Sequence, residues 1–229
     1  GGVRVVLHRQ PKVTRGMAPR VVHAMQKLRR PTVIWLELQE CTGCVESILR
    51  SGDPTIGNLL LDVNSLDYSD TLMAAAGHQA EQAKADAMKA NMGKYVLVVT
   101  GSVPLEENGV YTMIAGRTAK SILEEAAEGA AAIIALGACA HWGSVQAAKP
   151  NPTGAVGAPE ILKGKTVVTL PGCPSNPYNF LGVALQFATL GTLPALDDKG
   201  RPMFAYGRTI HEDCPRRPHF DAGRFAEQF

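Results

Sequence analysis

From Thr32 onward the chain alternates between short apolar runs and longer stretches in which apolar residues recur at three- and four-residue spacing. Five runs read as strands: Thr32 to Leu38, Leu59 to Leu66, Tyr95 to Thr100, Ala131 to Leu136 and Thr166 to Leu170. Their length and their content of Val, Ile and Leu are those of strands buried on both faces. Between them, Thr71 to Ala90 carries Leu72, Ala76, Ala80, Ala83 and Ala87 on one helical face, and Arg117 to Glu128 and Tyr178 to Leu190 show the same periodicity. Strands that are apolar throughout and alternate with helices predict a parallel sheet covered on both faces, an α/β fold. Residues 1–31 hold Arg, Lys, His and Pro around one β-like piece, Val3 to Leu7, and read as an arm laid on a partner; residues 32–190 form the α/β domain. After Gly191 the pattern changes to Pro, Gly, Asp and Arg, which marks 191–229 as a loop-rich tail.

Composition removes several classes of function. The 229 residues suffice for a full core, so no staples are needed. With 23 basic and 21 acidic residues well mixed, the net charge of +2 leaves no footprint for nucleic acid or an anionic membrane. No apolar run approaches the roughly 18 residues of a membrane span, and Gly1 to Pro31 has no signal-peptide core. The pair Arg29-Arg30 is followed by a core-like strand rather than by a cleavable segment. Five cysteines are an odd count and too few for a disulfide scaffold, so metal or redox chemistry leads over bridging.

Position gives those cysteines meaning. Cys41 and Cys44 follow the first predicted strand in Cys41-Thr42-Gly43-Cys44, Cys139 follows the fourth in Gly137-Ala138-Cys139, and Cys173 follows the fifth in Pro171-Gly172-Cys173-Pro174. All four therefore sit at carboxyl ends of parallel strands, the edge where open α/β sheets bind ligands. Helix N-termini and backbone amides there favour thiolates and donate to sulfur, and a glycine beside each ligand allows close approach. Four thiolates suit zinc as well as a 4Fe-4S cluster, although one local pair plus two distant single cysteines is unlike a zinc knuckle. A thioredoxin-like dithiol and buried core thiols at Cys139 and Cys173 are the other readings. In the tail, His211 and Cys214 make a His-x-x-Cys pair, half of a metal site. Around the ligands, Trp142 is either a screen against water or a core aromatic. Glu46 belongs to the acidic first turn of a helix or to the site, and His141 is a candidate for support behind the ligands or for partner contact.

Taken in order, Cys41-Thr42-Gly43-Cys44 with Glu46-Ser47, the run Gly137 to Gly143, Pro150-Asn151-Pro152-Thr153-Gly154, Pro171-Gly172-Cys173-Pro174 and His211 with Cys214-Pro215-Arg216-Arg217 resemble the small subunit of nickel-iron hydrogenases. The resemblance runs from about Pro31 to Phe229 and implies a flavodoxin-like domain. Cys41, Cys44, Cys139 and Cys173 would bind a proximal 4Fe-4S cluster beside a nickel-iron centre on a separate large subunit. It also implies that His211 and Cys214 are two ligands of a distal 4Fe-4S cluster, completed by a C-terminal segment that also binds a medial 3Fe-4S cluster and is absent after Phe229. The implied assembly is a heterodimer with the large subunit, or a dimer of such heterodimers, feeding a membrane cytochrome or another redox partner. The implied location is periplasmic or membrane-associated after removal of an export signal, with the cytoplasm as the alternative. Gly43 and Ser144 stand where oxygen-tolerant members carry extra cysteines, so a six-cysteine 4Fe-3S cluster is not expected. Val99-Thr100-Gly101 replaces the frequent Val-Glu-Gly and puts a carboxylate role there in doubt. A dihydrogen sensor or a complex-I-like quinone oxidoreductase subunit is the rival function, and a colourless structural zinc protein the third.

Overall fold

The computed structural model describes residues 30–52, 55–58, 64–212 and 214–228. The expected arm, Val3 to Leu7 included, lies outside them. Five strands, β1 (Thr32–Glu37), β2 (Ser65–Ser69), β3 (Tyr95–Thr100), β6 (Ala130–Leu136) and β7 (Val167–Leu170), form one sheet in the order β2-β1-β3-β6-β7. Every pairing in it is parallel. Counting sheet strands alone, the order is second, first, third, fourth, fifth, which is the flavodoxin-like winding expected from sequence. The reversal falls between β1 and β3, where loops diverge and leave a crevice.

Side chains leave β1 alternately to the two faces, and each face has its own core. Ile34, Leu36 and Leu38 join Leu97, Val99, Ile133 and Ala135 beneath α2 (Gly77–Ala90) and α3 (Ala119–Glu128), where Ala80, Ile122, Leu123 and Ala126 face inward. Val33 and Trp35 join Val96, Val98, Ile134 and Val168 beneath α1 (Gly43–Leu49) and α5 (Pro177–Leu190), through Val45, Ile48, Phe180 and Leu181. The Trp35 and Phe180 rings meet at 5.6 Å between centroids, tilted by 51°. Between β6 and β7 the short helix α4 (Ala138–Trp142) turns the chain back over the edge.

Three expectations need correction. The second strand is Ser65–Ser69 rather than Leu59 to Leu66, and residues 59–63 lie outside the described ones. It is an edge strand that alternates Leu66 and Tyr68 with Ser65, Asp67 and Ser69, so it never shows the all-apolar run of a central strand. The helix expected from Thr71 begins at Gly77, because Thr71 turns back to the end of β1. There its backbone N–H and hydroxyl donate to Glu37 Oε1 at 3.2 and 2.8 Å, and Ser69 Oγ adds a third bond at 2.7 Å. Arg117 and Thr118 form β5 (Arg117–Thr118), which pairs antiparallel with β4 (Met113–Ile114) in a short hairpin, and Thr118 caps α3 by accepting from Ser121 N at 3.3 Å. The tail is partly docked: Thr169 N donates to Gly200 O at 2.8 Å, so the turn Asp197 to Arg201 lies along the free edge of β7.

Burial separates the positions that hold the fold from those that do not. Leu97, 0% exposed in the central strand, should lose about 3 kcal/mol when replaced by alanine, through lost transfer energy and a residual cavity. Leu190, 66% exposed at the end of α5, should change by less than about 0.5 kcal/mol on the same substitution. Urea denaturation of L97A and L190A checks the contrast.

Candidate metal centre

Four thiols arrive on three loops, and hydrogen bonds between the loops hold them together. After β1 the chain reaches Cys41, passes through Thr42 in the left-handed region (φ 65°) and enters α1 with Cys44 in its first turn. After β6 and β7, Gly137 N donates to Leu170 O at 2.9 Å and Ala138 N to Gly172 O at 2.8 Å, which sets the Cys139 loop against the Cys173 loop. Ser47 Oγ reaches Ser175 O at 3.0 Å and ties α1 to the loop of Cys173. Gly137 is where the loops come closest: its φ is +92°, and a Cβ there would lie 2.4 Å from Cys44 Sγ, so only glycine fits.

The sulfurs are close enough to perturb one another. Burial pushes the Cys44 thiol up to about 11, a backbone hydrogen bond from Ser175 opposes that, and Glu40, Cys139 and Cys41 add to it. Cys139 is also raised, first by burial and then by Cys173 and Cys41, against hydrogen bonds with Gln146 and Ser144. Cys41 and Cys173 are exposed, Cys44 and Cys139 half-buried, and none is in a disulfide. The edge thus brings together the four cysteines named from sequence, and metal uptake there would have to displace protons from the half-buried pair. Among the described residues no three His, Cys, Asp or Glu side chains are close enough to hold a single metal ion.

Other expected positions fall differently. His211 is exposed and Cys214 half-buried in the tail, and no described contact joins them to the four-cysteine edge. Glu46 pairs with Arg50 one helical turn on, at 2.7 Å, and so fills the helix-turn role. Trp142 is 55% exposed, which excludes a core aromatic. His141 keeps Nδ1 buried without a partner among the described residues, and burial holds the imidazole below its ordinary range. Thr100, where a carboxylate was in doubt, donates to one: its Oγ1 lies 2.6 Å from Glu40 Oε1 and accepts from Trp35 Nε1 at 3.2 Å. Burial pushes Glu40 up to about 7, with Thr100 opposing and Glu37 reinforcing. Sequence reasoning passed over Glu40, although its place directly before Cys41 at the sheet's reversal was a usable signal.

Residues 41–187 match the family described as the NADH ubiquinone oxidoreductase, 20 Kd subunit. The periplasmic [NiFe] hydrogenase small subunit 1 of Nitratidesulfovibrio vulgaris is 45% identical over 223 residues, covering 95% of this chain and 70% of its own. The chain belongs to the nickel-iron hydrogenase small-subunit family. The hydrogenase-2 small chain of Escherichia coli K12 is 55% identical over 212 residues, and the chain spans 57% of that relative's length. Among solved structures, a reduced, active form of the Ni-Fe-Se hydrogenase from Desulfomicrobium baculatum superposes with a TM-score of 0.80 at 32% identity, over 87% of this chain and 79% of that one.

Exposure and thiol acidity together set an order of reactivity. In metal-free protein at neutral pH, iodoacetamide should modify Cys41 and Cys173 first and Cys44 last, because only the thiolate reacts and Cys44 is both half-buried and shifted upward. Site-resolved mass spectrometry of a time course checks this, and Cys44 reacting ahead of Cys173 would contradict the geometry.

Proposed function

We propose that this chain is the electron-transfer subunit of a nickel-iron hydrogenase, with Cys41, Cys44, Cys139 and Cys173 holding a proximal 4Fe-4S cluster. The observation that carries the reading is the gathering of four unpaired thiols from three loops at the carboxyl edge of one parallel sheet. An all-thiol donor set fits an iron-sulfur cluster. Such a cluster supplies one-electron chemistry. The protein's part is to fix its position and to surround its sulfurs with donors: a backbone hydrogen bond from Ser175 at Cys44, and Ser144 and Gln146 at Cys139. Half-burial of two ligands limits water at the inner side, while exposed Cys41 and Cys173 leave the outer side open to a partner.

The proposed partner is the large subunit that carries the nickel-iron centre, in a heterodimer or a dimer of heterodimers that oxidises or evolves dihydrogen. His211 and Cys214 enter the proposal as two ligands of a distal 4Fe-4S cluster in a relay with a medial 3Fe-4S cluster. A periplasmic or membrane-associated location and a membrane cytochrome as acceptor complete it; similarity to the periplasmic small subunit of Nitratidesulfovibrio vulgaris supports a periplasmic location. No helix among the described residues is long and apolar enough to cross a membrane. The description of the matching family favours one rival, a quinone-oxidoreductase subunit on the same fold. Identities of 45% and 55% to hydrogenase small subunits favour the first reading.

Anaerobic purification with the co-produced partner, followed by iron, nickel, zinc and sulfide analysis, separates these readings. Iron with equimolar sulfide on this chain and nickel on the partner are expected; iron and sulfide without nickel would favour the quinone-oxidoreductase rival, and zinc without sulfide would overturn the cluster. Cys139→Ser should abolish the brown proximal chromophore, and full retention of it would count decisively against the ligand set. His211→Ala should remove the distal signal in electron paramagnetic resonance and leave the proximal one, whereas an unchanged spectrum would remove His211 from the relay.

A further inference from the structure

Gln146 lies in the single turn of 3-10 helix, Ser144–Ala147, that follows α4, and its amide spans two limbs of the cysteine edge. The Cys139 thiol donates to Gln146 Oε1 at 3.4 Å, while Gln146 Nε2 donates to Gln39 O at 3.0 Å. Gln39 stands two residues before Cys41 and is held from several sides. Its backbone exchanges bonds with Ser102, N to O at 3.2 Å and O to N at 2.9 Å. Ser102 Oγ donates to Gln39 Oε1 at 2.8 Å, and Gln39 Nε2 donates to Thr153 Oγ1 at 3.2 Å. One side chain therefore connects the Cys139 sulfur to the anchored backbone that delivers Cys41 and Cys44.

We propose that Gln146 is a positioning residue that donates a hydrogen bond to the Cys139 sulfur once that sulfur ligates the cluster, and thereby raises the cluster's reduction potential. The inference rests on the cluster reading above. A sulfur bound to iron carries no proton, so the bond seen in the free thiol cannot persist, and Oε1 would face an anionic sulfur. The terminal amide torsion is soft, and the NH₂ group has two N–H bonds to offer. Turning the amide exchanges its ends: Gln39 O loses the bond from Gln146 Nε2 and keeps that from Ser102 N at 2.9 Å, and Gln146 Oε1 comes to face Gln39 O, a cost that the charge-assisted N–H bond to the anionic sulfur offsets. Reduction adds negative charge to the cluster, so an N–H aimed at a ligand sulfur stabilises the reduced state more than the oxidised one. Ser144 also hydrogen-bonds to this sulfur, so removal of Gln146 takes away one donor and leaves another.

The test is a potentiometric titration of the proximal cluster, followed by electron paramagnetic resonance, in the complex purified anaerobically with its partner. Gln146→Leu removes the donor, and Gln146→Glu keeps the shape while replacing the donor with oxygen. Thr153→Val cuts the Gln39 side-chain anchor without touching sulfur. The expected result is a shift to more negative potential in both Gln146 variants, at least as large for Glu as for Leu, with Thr153→Val at the wild-type value. Unchanged potentials in both variants with iron and sulfide retained would overturn the proposal. So would an equal shift in Thr153→Val, or loss of the cluster from both Gln146 variants alone, since each points to a scaffold role. A wild-type protein without iron and sulfide would instead bring down the cluster reading, and this inference with it.

Discussion

Because all five strands of the sheet run the same way, every loop that leaves a carboxyl end emerges on one edge, and the four thiols meet there for that reason. The strand order adds a second condition. At the reversal between β1 and β3, side chains hold the loop after β1 to those after β6 and β7, Gln146 Nε2 to Gln39 O at 3.0 Å and Ser47 Oγ to Ser175 O at 3.0 Å, which keeps Cys41 and Cys44 beside Cys139 and Cys173. Two apolar cores hold the sheet rigid from both sides, which keeps three loops distant in sequence in fixed register. Gly137 marks how close that register is, since a single added methyl group would occupy the space of the Cys44 sulfur.

The same edge is costly in electrostatic terms, and the chain offsets the cost with hydrogen bonds. Glu37, buried at the end of β1, is satisfied by Ser69 and Thr71; Glu40, one step nearer the thiols, is met by Thr100. At the sulfurs the donors are the Ser175 backbone, Ser144 and Gln146. Glu37, Glu40 and Cys44 thus meet partners from other segments of the chain, Cys139 is met from the turn that follows it, and the contacts that satisfy these groups also fix the loops.

Much of this was legible in the sequence, for identifiable reasons. Central strands such as Tyr95–Thr100 are buried on both faces and announce themselves as apolar runs; the edge strand Ser65–Ser69 is half polar and does not. Helix α3 was legible apart from its first turn, where local hairpin pairing of Arg117 with Ile114 overrides helical periodicity. The thiol edge could be read because cysteines followed strands that proved parallel. Gln146 could not, because its role depends on partners at Gln39 and Cys139 that only the folded chain brings near. The sequence left Trp142 open between a screen and a core aromatic, because an aromatic beside a ligand carries no sign of which way it faces, and its exposure removes the second reading.

The central claim is that one iron-sulfur cluster occupies the edge formed by Cys41, Cys44, Cys139 and Cys173. Iron K-edge X-ray absorption on the 229-residue chain produced anaerobically without its partner, with His211 and Cys214 both replaced by alanine, tests it most directly, because the four-cysteine edge is then the remaining proposed iron site on the chain. The expected spectrum shows iron in a sulfur shell with a neighbouring iron scatterer, lost when Cys173 is also changed to serine. Iron without an iron neighbour, or a spectrum indifferent to Cys173, would contradict it.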